Sequence, residues 1–279
     1  SYLWARVRPC RDPRSFEEWV VNQFGRRLFE TFFRSYTEKV WGMPCDQISA
    51  DWAAQRIKQL SLLEMVRSAL GGNRARHASL IEEFHYPRHG AGMMWEAMAR
   101  EIQHRGGDLR LGTTVTRLEH NGRRVTGLEV NGERLSVEGG VVSAMPLRET
   151  LLSLEPEPPL EVVAAARGLR YRGLLLVALV IPVRDLFPDN WIYVHVPQVQ
   201  VARISSFSNF SPEMAPDPEL SVVGLEYFCW PSEGLWDRPE EELLALGEQE
   251  LTALGLLHGE GVRGGKVVRV PAAYPVYDP

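Results

Sequence analysis

Two Asn-Gly pairs constrain the fold of this chain more than any other feature of its sequence. They stand at residues 121–122 and 131–132. Three runs in which apolar and polar residues alternate flank them, at 113–120, 124–130 and 134–138. Alternation is the pattern of a half-buried strand, and Asn-Gly favours the positive backbone dihedrals of a tight hairpin turn. The sequence therefore predicts a three-stranded meander.

The residues before the meander are predicted to be mostly helical. Ser15 and Glu18 have the spacing of a capping box, in which each side chain satisfies a free backbone N–H of the other. The apolar residues that follow recur at helical spacing: Phe16, Trp19, Val20, Phe24, Leu28, Phe32 and Phe33. The pattern predicts one long helix over 15–40, and a second helix over 51–69.

Segments on either side of the meander complete its domain. A helix is predicted to begin near Met93 and to end at Gly106, a residue suited to the left-handed C-cap position. After the meander, the apolar run VVSAMP at 141–146 predicts a buried strand that stops at Pro146.

The second half of the chain follows a Pro-rich joint at 155–159 and is predicted to form a mixed sheet with one covering helix. Strands are predicted at 171–181, 190–195, 199–207, 220–229 and 265–271, with the helix at 239–256. Helices and strands that are segregated in this way indicate the α+β class.

Composition narrows the possible partners. A net charge of −5 and a pI near 5.9 argue against nucleic-acid binding, which needs concentrated basic charge. The three cysteines are widely spaced and indicate a reducing cytoplasm. The most apolar run, 174–183, is about half the length that a bilayer requires. The sequence therefore predicts a cytoplasmic protein without a transmembrane segment.

Familiar catalytic and metal motifs are absent or incomplete. Gly90 and Gly92 begin like a dinucleotide fingerprint, but Trp95 stands where the third glycine would fall. Pro87 lies between His85 and His89 and breaks the helix that would aim both imidazoles at one zinc ion. No G-x-S-x-G elbow occurs. We therefore expect no metal and no protein nucleophile.

Aromatic residues are frequent at the predicted ends of elements, where a flat apolar face with a polar tip can stack on a ring or a sugar. Ordinary core packing is the alternative for any one of them. The set comprises Trp41, Trp52, Trp95, Trp191, Trp230, Trp236, Tyr36, Tyr193, Tyr227, Tyr274 and Tyr277.

Four segments, in order, resemble one family of flavoproteins. The first is YTEKVWG at 36–42 with Arg56 downstream, and the second is YPRHGAGMMWEAMA with VTRLEHNG. VVSAMP is the third, and the fourth is the series NWIYVH, ARISSFSNFSPE, GLEYFCW and AAYPVYD. The chain resembles the superfamily of FAD-dependent amine oxidases, protoporphyrinogen oxidases and UDP-galactopyranose mutases over nearly its whole length.

The resemblance implies both site residues and a domain order. It places Trp41 near a sugar, and Arg56 and Arg203 on a nucleotide diphosphate, where Arg203 could instead pair with a neighbouring carboxylate. The remaining substrate-binding residues are Tyr36, Trp191, Tyr193, Asn209, Tyr227 and Tyr274. The residues expected to bind FAD are Gly90, Gly92, Met93, Val115, Ala144 and Pro146. The implied parts are a helical substrate part (1–85), a return segment of the FAD domain (86–150), a sheet for the substrate (151–271) and a second return (272–279).

The family's main FAD-binding segments would precede residue 1 and follow residue 279, so the resemblance implies an internal piece of a longer enzyme. The leading interpretation is the substrate-binding and flavin-capping part of an FAD-dependent oxidoreductase. Departures from the mutases at SSFSN and RIKQL place a galactose substrate in doubt. A mutase-like isomerase that uses reduced FAD and an inactive sugar-nucleotide or carbohydrate binding module are the alternatives. Unpaired sheet edges are expected to favour self-association.

Overall fold

The computed structural model describes residues 2–56, 84–231 and 234–277, without the side chains of residues 3, 6, 55 and 56. The chain divides into two compact units. The first comprises Ser1–Met93 and Arg172–Pro279, and the second is Met94–Tyr171. Within the described ranges, no helix has both the length and the apolar character needed to cross a membrane.

The described elements follow one another as helices, then a small sheet, then a large sheet. The helices are α1 Tyr2–Val7, α2 Phe16–Phe24, α3 Arg26–Leu28, α4 Arg34–Trp41, α5 Ala50–Arg56, α6 Gly92–His104, α7 Leu147–Leu152, α8 Leu160–Gly168, α9 Phe207–Phe210 and α10 Glu240–Ala253. A π-helix covers Phe29–Phe33, and short 3-10 helices cover Cys45–Gln47 and Pro212–Met214. The strands are β1 Val115–His120, β2 Val125–Val130, β3 Glu133–Ser136, β4 Leu154–Glu155, β5 Tyr171–Ile181, β6 Trp191–Tyr193, β7 Arg203–Ser206, β8 Ser221–Cys229 and β9 Gly264–Pro275. These elements confirm the α+β class.

The predicted capping box is present at the start of α2, where the Glu18 N–H donates to Ser15 Oγ at 3.2 Å. The prediction of a single long helix over 15–40 is wrong. Gly25 has φ +83°, which no α-helix accommodates, so α2 ends there. A π-helical turn at Phe29–Phe33 then changes the direction of the chain before α4 begins. Residues 57–69 of the predicted second helix lie outside the described residues.

The helices of the first unit enclose an apolar cluster of their own. The predicted helical positions Phe16, Val20 and Phe24 are all buried in it. Trp41 from α4 and Ile48 from the following loop complete its centre. Burial of the apolar face therefore follows the spacing in the sequence, although the helix axis does not.

The large sheet has the strand order β6-β7-β8-β5-β9. β5 pairs with β8 from Gly173↔Cys229 to Ile181↔Ser221, and β7 pairs with β8 from Arg203↔Glu226 to Ser206↔Val223, both antiparallel. The Arg263 N–H donates to the Val180 carbonyl at 2.9 Å, just before β9. The ladders β5·β8, β6·β7 and β7·β8 of this sheet are antiparallel.

Helix α10 covers one face of the large sheet. Gly247 makes the close approach possible, since a Cβ there would lie 3.1 Å from Leu179 Cδ1. Alternate residues of β5, among them Leu175, Val177 and Leu179, are fully buried in the core of this unit. The pocket-lining residues of the sheet, Arg203 and Phe228 among them, therefore lie on the opposite face.

The second unit contains the predicted meander, which is confirmed. β1, β2 and β3 pair antiparallel in sequence, and Asn131 and Gly132 form the two-residue turn with φ of +51° and +83°. β4 pairs parallel to β1, with Leu118 opposite Leu154, so this four-stranded sheet is mixed.

The buried strand predicted at 141–146 is wrong for the described residues. These residues form no strand, and Val142 is 98% exposed. Pro146 caps the start of α7 instead. An apolar strand is stable only when neighbouring strands satisfy its backbone groups, and no described segment lies beside 141–146 in a sheet.

Candidate functional site

A pocket of about 400 Å³ lies in the first unit, between α4 and the face of the large sheet opposite α10. Aromatic side chains make up most of its wall. It is lined by Tyr36, Thr37, Val40, Trp41, Trp52, Arg203, Phe228, Ala273, Tyr274, Pro275 and Tyr277. Its volume suits the ring-bearing part of a small ligand.

Helix α4 supplies one continuous wall of the pocket. Tyr36, Thr37, Val40 and Trp41 follow the spacing of adjacent positions on one helical face, which explains why all four line the same cavity. Gly42 ends the helix in the left-handed conformation, with φ +63°.

Trp41 stands at the centre of a group of aromatic rings. Its ring meets those of Trp52, Tyr277 and Tyr274 edge to face, at centroid distances of 5.1, 5.9 and 6.5 Å. The side chain is 3% exposed, and its Nε1–H has no acceptor among the described residues. A buried donor without an acceptor costs about 1–3 kcal/mol.

Arg203 is the charged group on the described wall of the pocket, and Glu226 neutralises it. The two residues face each other across β7 and β8. Arg203 Nε and Nη2 lie 2.9 and 2.7 Å from Glu226 Oε1, and Nη2 lies 2.7 Å from Oε2. Burial opposes the charged form, but the hydrogen bonds and charge of Glu226 raise the pKa of Arg203. The guanidinium is therefore held as half of a forked ion pair.

Tyr36 stands beside this ion pair. Burial raises the pKa of its phenol to about 12, against the opposing charge of Arg203. Its ring meets that of Tyr193 edge to face at 5.1 Å, and Tyr193 pairs with Arg203 across β6 and β7. Tyr36 is therefore a neutral hydroxyl at physiological pH and can both donate and accept a hydrogen bond.

The structure brings together only some of the predicted substrate-binding residues. Tyr36, Trp41, Arg203 and Tyr274 line the pocket, and Tyr193 packs on Tyr36. The alternative for Arg203, that it pairs with a neighbouring carboxylate, is the arrangement found in the structure, where its partner is Glu226.

Three predicted residues lie elsewhere in the first unit. Trp191 stacks on Phe210 with centroids 6.2 Å apart. Asn209 Nδ2 donates to two loop carbonyls, at 2.9 and 2.8 Å, and so holds that loop in place. Tyr227 is fully buried in the core below the sheet, and burial raises its pKa. Adjacent strand residues point to opposite faces, so Glu226 rather than Tyr227 faces Arg203. The side chain of Arg56 lies outside the described residues.

Glu226, Thr37, Val40 and Phe228 belong to the site but escaped the sequence analysis. Thr37 and Val40 lie on α4 and could have been found from their helical spacing to Tyr36 and Trp41. No comparable signal marks Glu226, because strand register decides its partner.

The chain belongs to the family of flavin-containing amine oxidoreductases, whose model matches residues 8–260. FAD is the cofactor of this family.

Solved structures with similar folds include a reduced UDP-galactopyranose mutase, at 20% identity and a TM-score of 0.78 over 99% of this chain and 60% of that one. A protein assigned as a protoporphyrinogen oxidase from Exiguobacterium sp. 255-15 has 14% identity and a TM-score of 0.70, over 97% and 57%. Cyclohexylamine oxidase from Brevibacterium oxydans IH-35A has 13% identity and a TM-score of 0.60, over 95% and 57%. This chain thus spans about three fifths of the length of these proteins.

The first three residues expected to bind FAD lie in the first unit, around the start of α6. Gly90 has φ +93°, and a Cβ there would lie 3.3 Å from Met214 Cε, so local packing accounts for this glycine. A Cβ at Gly92 would meet no atom within 4 Å. Met93 is 38% exposed. The open backbone at Gly92 and the exposed Met93 fit the close approach of a planar cofactor.

The other three lie in the second unit. Val115 begins β1, Ala144 lies in the exposed segment 141–146, and Pro146 precedes α7. Ala144 is exposed, and Val115 and Pro146 are partly exposed. Each of these three residues therefore has surface available to a cofactor.

Proposed function

We propose that this chain forms the substrate-binding and flavin-capping part of an FAD-dependent oxidoreductase, and that the aromatic pocket holds the substrate. Membership of the flavin-containing amine oxidoreductase family supports the reaction class. The observation that carries the proposal is the mainly aromatic wall of the pocket, in which Trp41 packs edge to face against Trp52, Tyr274 and Tyr277.

The pocket residues bind and orient the substrate. Trp52, Tyr274 and Tyr277 offer ring faces and edges that exclude water from an apolar group. The Tyr36 hydroxyl supplies a polar contact that can donate or accept a hydrogen bond. When bound, FAD supplies the hydride acceptor, so no protein nucleophile is required.

The charge of the pocket favours a substrate whose bound part is neutral. Arg203 and Glu226 cancel each other within one forked pair, so neither attracts a free ion strongly. The proposed substrate therefore carries its oxidisable amine-bearing or alcohol-bearing carbon on a ring or a short apolar group.

The second unit supports a role beside a larger FAD domain. Trp95 and Met98 of α6 are 61% and 51% exposed, and Val142 is 98% exposed. Exposed apolar patches of this kind mark surfaces that another part of a protein covers. We propose that residues 86–150 pack into the FAD domain of the complete protein. Activity then requires the complete protein, and this chain alone is inactive. Cytoplasmic location and self-association through sheet edges remain predictions.

The test is a titration of the flavin absorption bands of the complete gene product with cyclohexylamine. Trp41→Phe puts a smaller ring at the centre of the aromatic wall and so removes contact with an apolar ligand ring, and the Kd should rise by about three- to tenfold. Trp4→Phe is the control, since Trp4 is 62% exposed and outside this pocket. Equal effects of the two substitutions would refute the assignment of the pocket.

A mutase-like isomerase is the second candidate, because Arg203 stands on the pocket wall, where a diphosphate could displace Glu226. In that case the reduced protein should bind UDP-galactose, and Arg203→Ala should abolish binding. Binding that is indifferent to Arg203→Ala would exclude this candidate. A protein that binds UDP-galactose without any flavin would be the inactive sugar-nucleotide module.

A further inference from the structure

The ammonium group of Lys39 donates all of its hydrogen bonds to one loop. It lies on α4, and its Nζ donates to the carbonyls of Val194, Val196 and Val201 at 3.1, 2.7 and 3.0 Å. An ammonium has three donors, so these carbonyls satisfy all of them. The loop that they belong to, residues 194–202, connects β6 to β7.

Glu250 holds the same loop from the opposite side. This carboxylate lies on α10 and is 5% exposed. Its Oε1 accepts from the Gln200 N–H at 2.6 Å and its Oε2 from the Val201 N–H at 2.9 Å. Val201 therefore gives its N–H to a buried anion and its carbonyl to Lys39.

The two charges act on each other through this loop. Burial lowers the pKa of Lys39, and the negative charge of Glu250 opposes that shift. Loss of either charge would weaken the charge-assisted hydrogen bonds that it makes to the loop backbone. The loop is thus held by two opposite charges that bind its backbone groups from two sides.

This clamp of Lys39 and Glu250 connects the two walls that meet at the pocket. Lys39 lies on α4, which carries Tyr36 and Trp41, and the loop leads directly into Arg203. Ser35 Oγ adds a hydrogen bond to the His195 carbonyl of the same loop. The separation between α4 and the β6–β7 hairpin therefore depends on these contacts.

We propose that Lys39 and Glu250 are positioning residues for the pocket, and that they act through the loop 194–202 without touching the ligand. The proposal rests on the pocket as the substrate site. A role confined to global stability would change the free energy of unfolding and leave the pocket of the folded protein unaltered. A positioning role changes the local environment of Tyr36 and Tyr193 while the protein remains folded.

The experiment measures nitration of individual tyrosines by tetranitromethane in the complete gene product, with peptide mass spectrometry. Lys39→Met and Glu250→Gln should each raise the nitration rates of Tyr36 and Tyr193 several-fold. The rate at Tyr86, which stacks on Phe210 away from the clamp, should not change. Lys266→Met is the control variant, because Lys266 is exposed and its partner among the described residues is Glu240, at 3.4 Å.

Glu250→Gln retains the shape and one acceptor of the side chain, so it keeps the test decisive if Lys39→Met does not fold. Unchanged nitration at Tyr36 and Tyr193 in variants that still unfold cooperatively would overturn the proposal. A failure of the proposed function has a different signature: the flavin spectrum would not respond to substrate, while the change in nitration would remain.

Discussion

Replacement of Gly42 by alanine is expected to destabilise the first unit far more than an ordinary glycine substitution. Gly42 has φ +63°, and a Cβ built on it would lie 2.5 Å from Cζ and Nη1 of Arg172. Arg172 is 3% exposed, and its guanidinium donates to the Val40 and Phe228 carbonyls at 3.1 and 2.7 Å. Because Gly42 has no side chain, there is room for the Arg172 guanidinium, which binds both the end of α4 and β8.

Two effects add. The left-handed conformation costs alanine about 1–2 kcal/mol, and the lower entropy of the unfolded chain offsets about 0.4–1 kcal/mol of that. Displacement of Arg172 weakens hydrogen bonds from a charged donor, each worth about 1.5–3 kcal/mol. We expect Gly42→Ala to lower the free energy of unfolding by about 3 kcal/mol.

Urea denaturation followed by tryptophan fluorescence measures this change. Gly255→Ala is the matched control, because Gly255 has φ +71° and nothing within 4 Å of its Cβ position. That variant should lose about 1 kcal/mol or less. In an Arg172→Met background the penalty of Gly42→Ala should fall to the level of the control. Equal losses for the two alanine variants would refute the reasoning.

Three further predictions concern titratable groups. Burial raises the pKa of Tyr36 to about 12, above the pKa of about 10 for a tyrosine in the unfolded chain. The stabilisation that comes from keeping this phenol protonated is therefore complete below a pH of about 10 and is lost as the pH rises towards 12. The free energy of unfolding should therefore fall more steeply with alkaline pH in the wild type than in Tyr36→Phe; equal slopes would contradict this. Glu226→Gln should destabilise by about 1–3 kcal/mol, because Arg203 loses its charged partner, and a change below about 0.5 kcal/mol in urea denaturation would mean that solvent replaces the carboxylate. Iodoacetamide should label the exposed Cys10 before the buried Cys45, whose thiol pKa burial raises to about 12; mass spectrometry that finds Cys45 labelled first would show that the site opens.

Local signals in the sequence were sufficient for elements whose partners are near in the chain. The Asn-Gly turns defined the meander, since Asn131 and Gly132 adopt the dihedrals that such a pair favours. The capping box at Ser15 marked the start of α2 for the same reason. The helical period alone could not show that Gly25 ends this helix.

Features that depend on distant partners could not be predicted. The ion pair between Arg203 and Glu226 follows from the register of β7 on β8, which no local pattern specifies. The same holds for Lys39, whose three acceptors lie more than 150 positions along the chain. The run at 141–146 has the composition of a buried strand, but composition does not supply the neighbours that a strand needs.

The visible spectrum of the anaerobic complete gene product, purified from its own host, tests the central claim most directly. We predict bands of bound flavin that lose intensity when cyclohexylamine or a related ring-bearing amine is added, with slower loss in Trp41→Phe than in Trp4→Phe. Absence of flavin, or flavin reduction that is unaffected by Trp41→Phe, would contradict the assignment of this aromatic pocket as the substrate site of a flavin-dependent oxidoreductase.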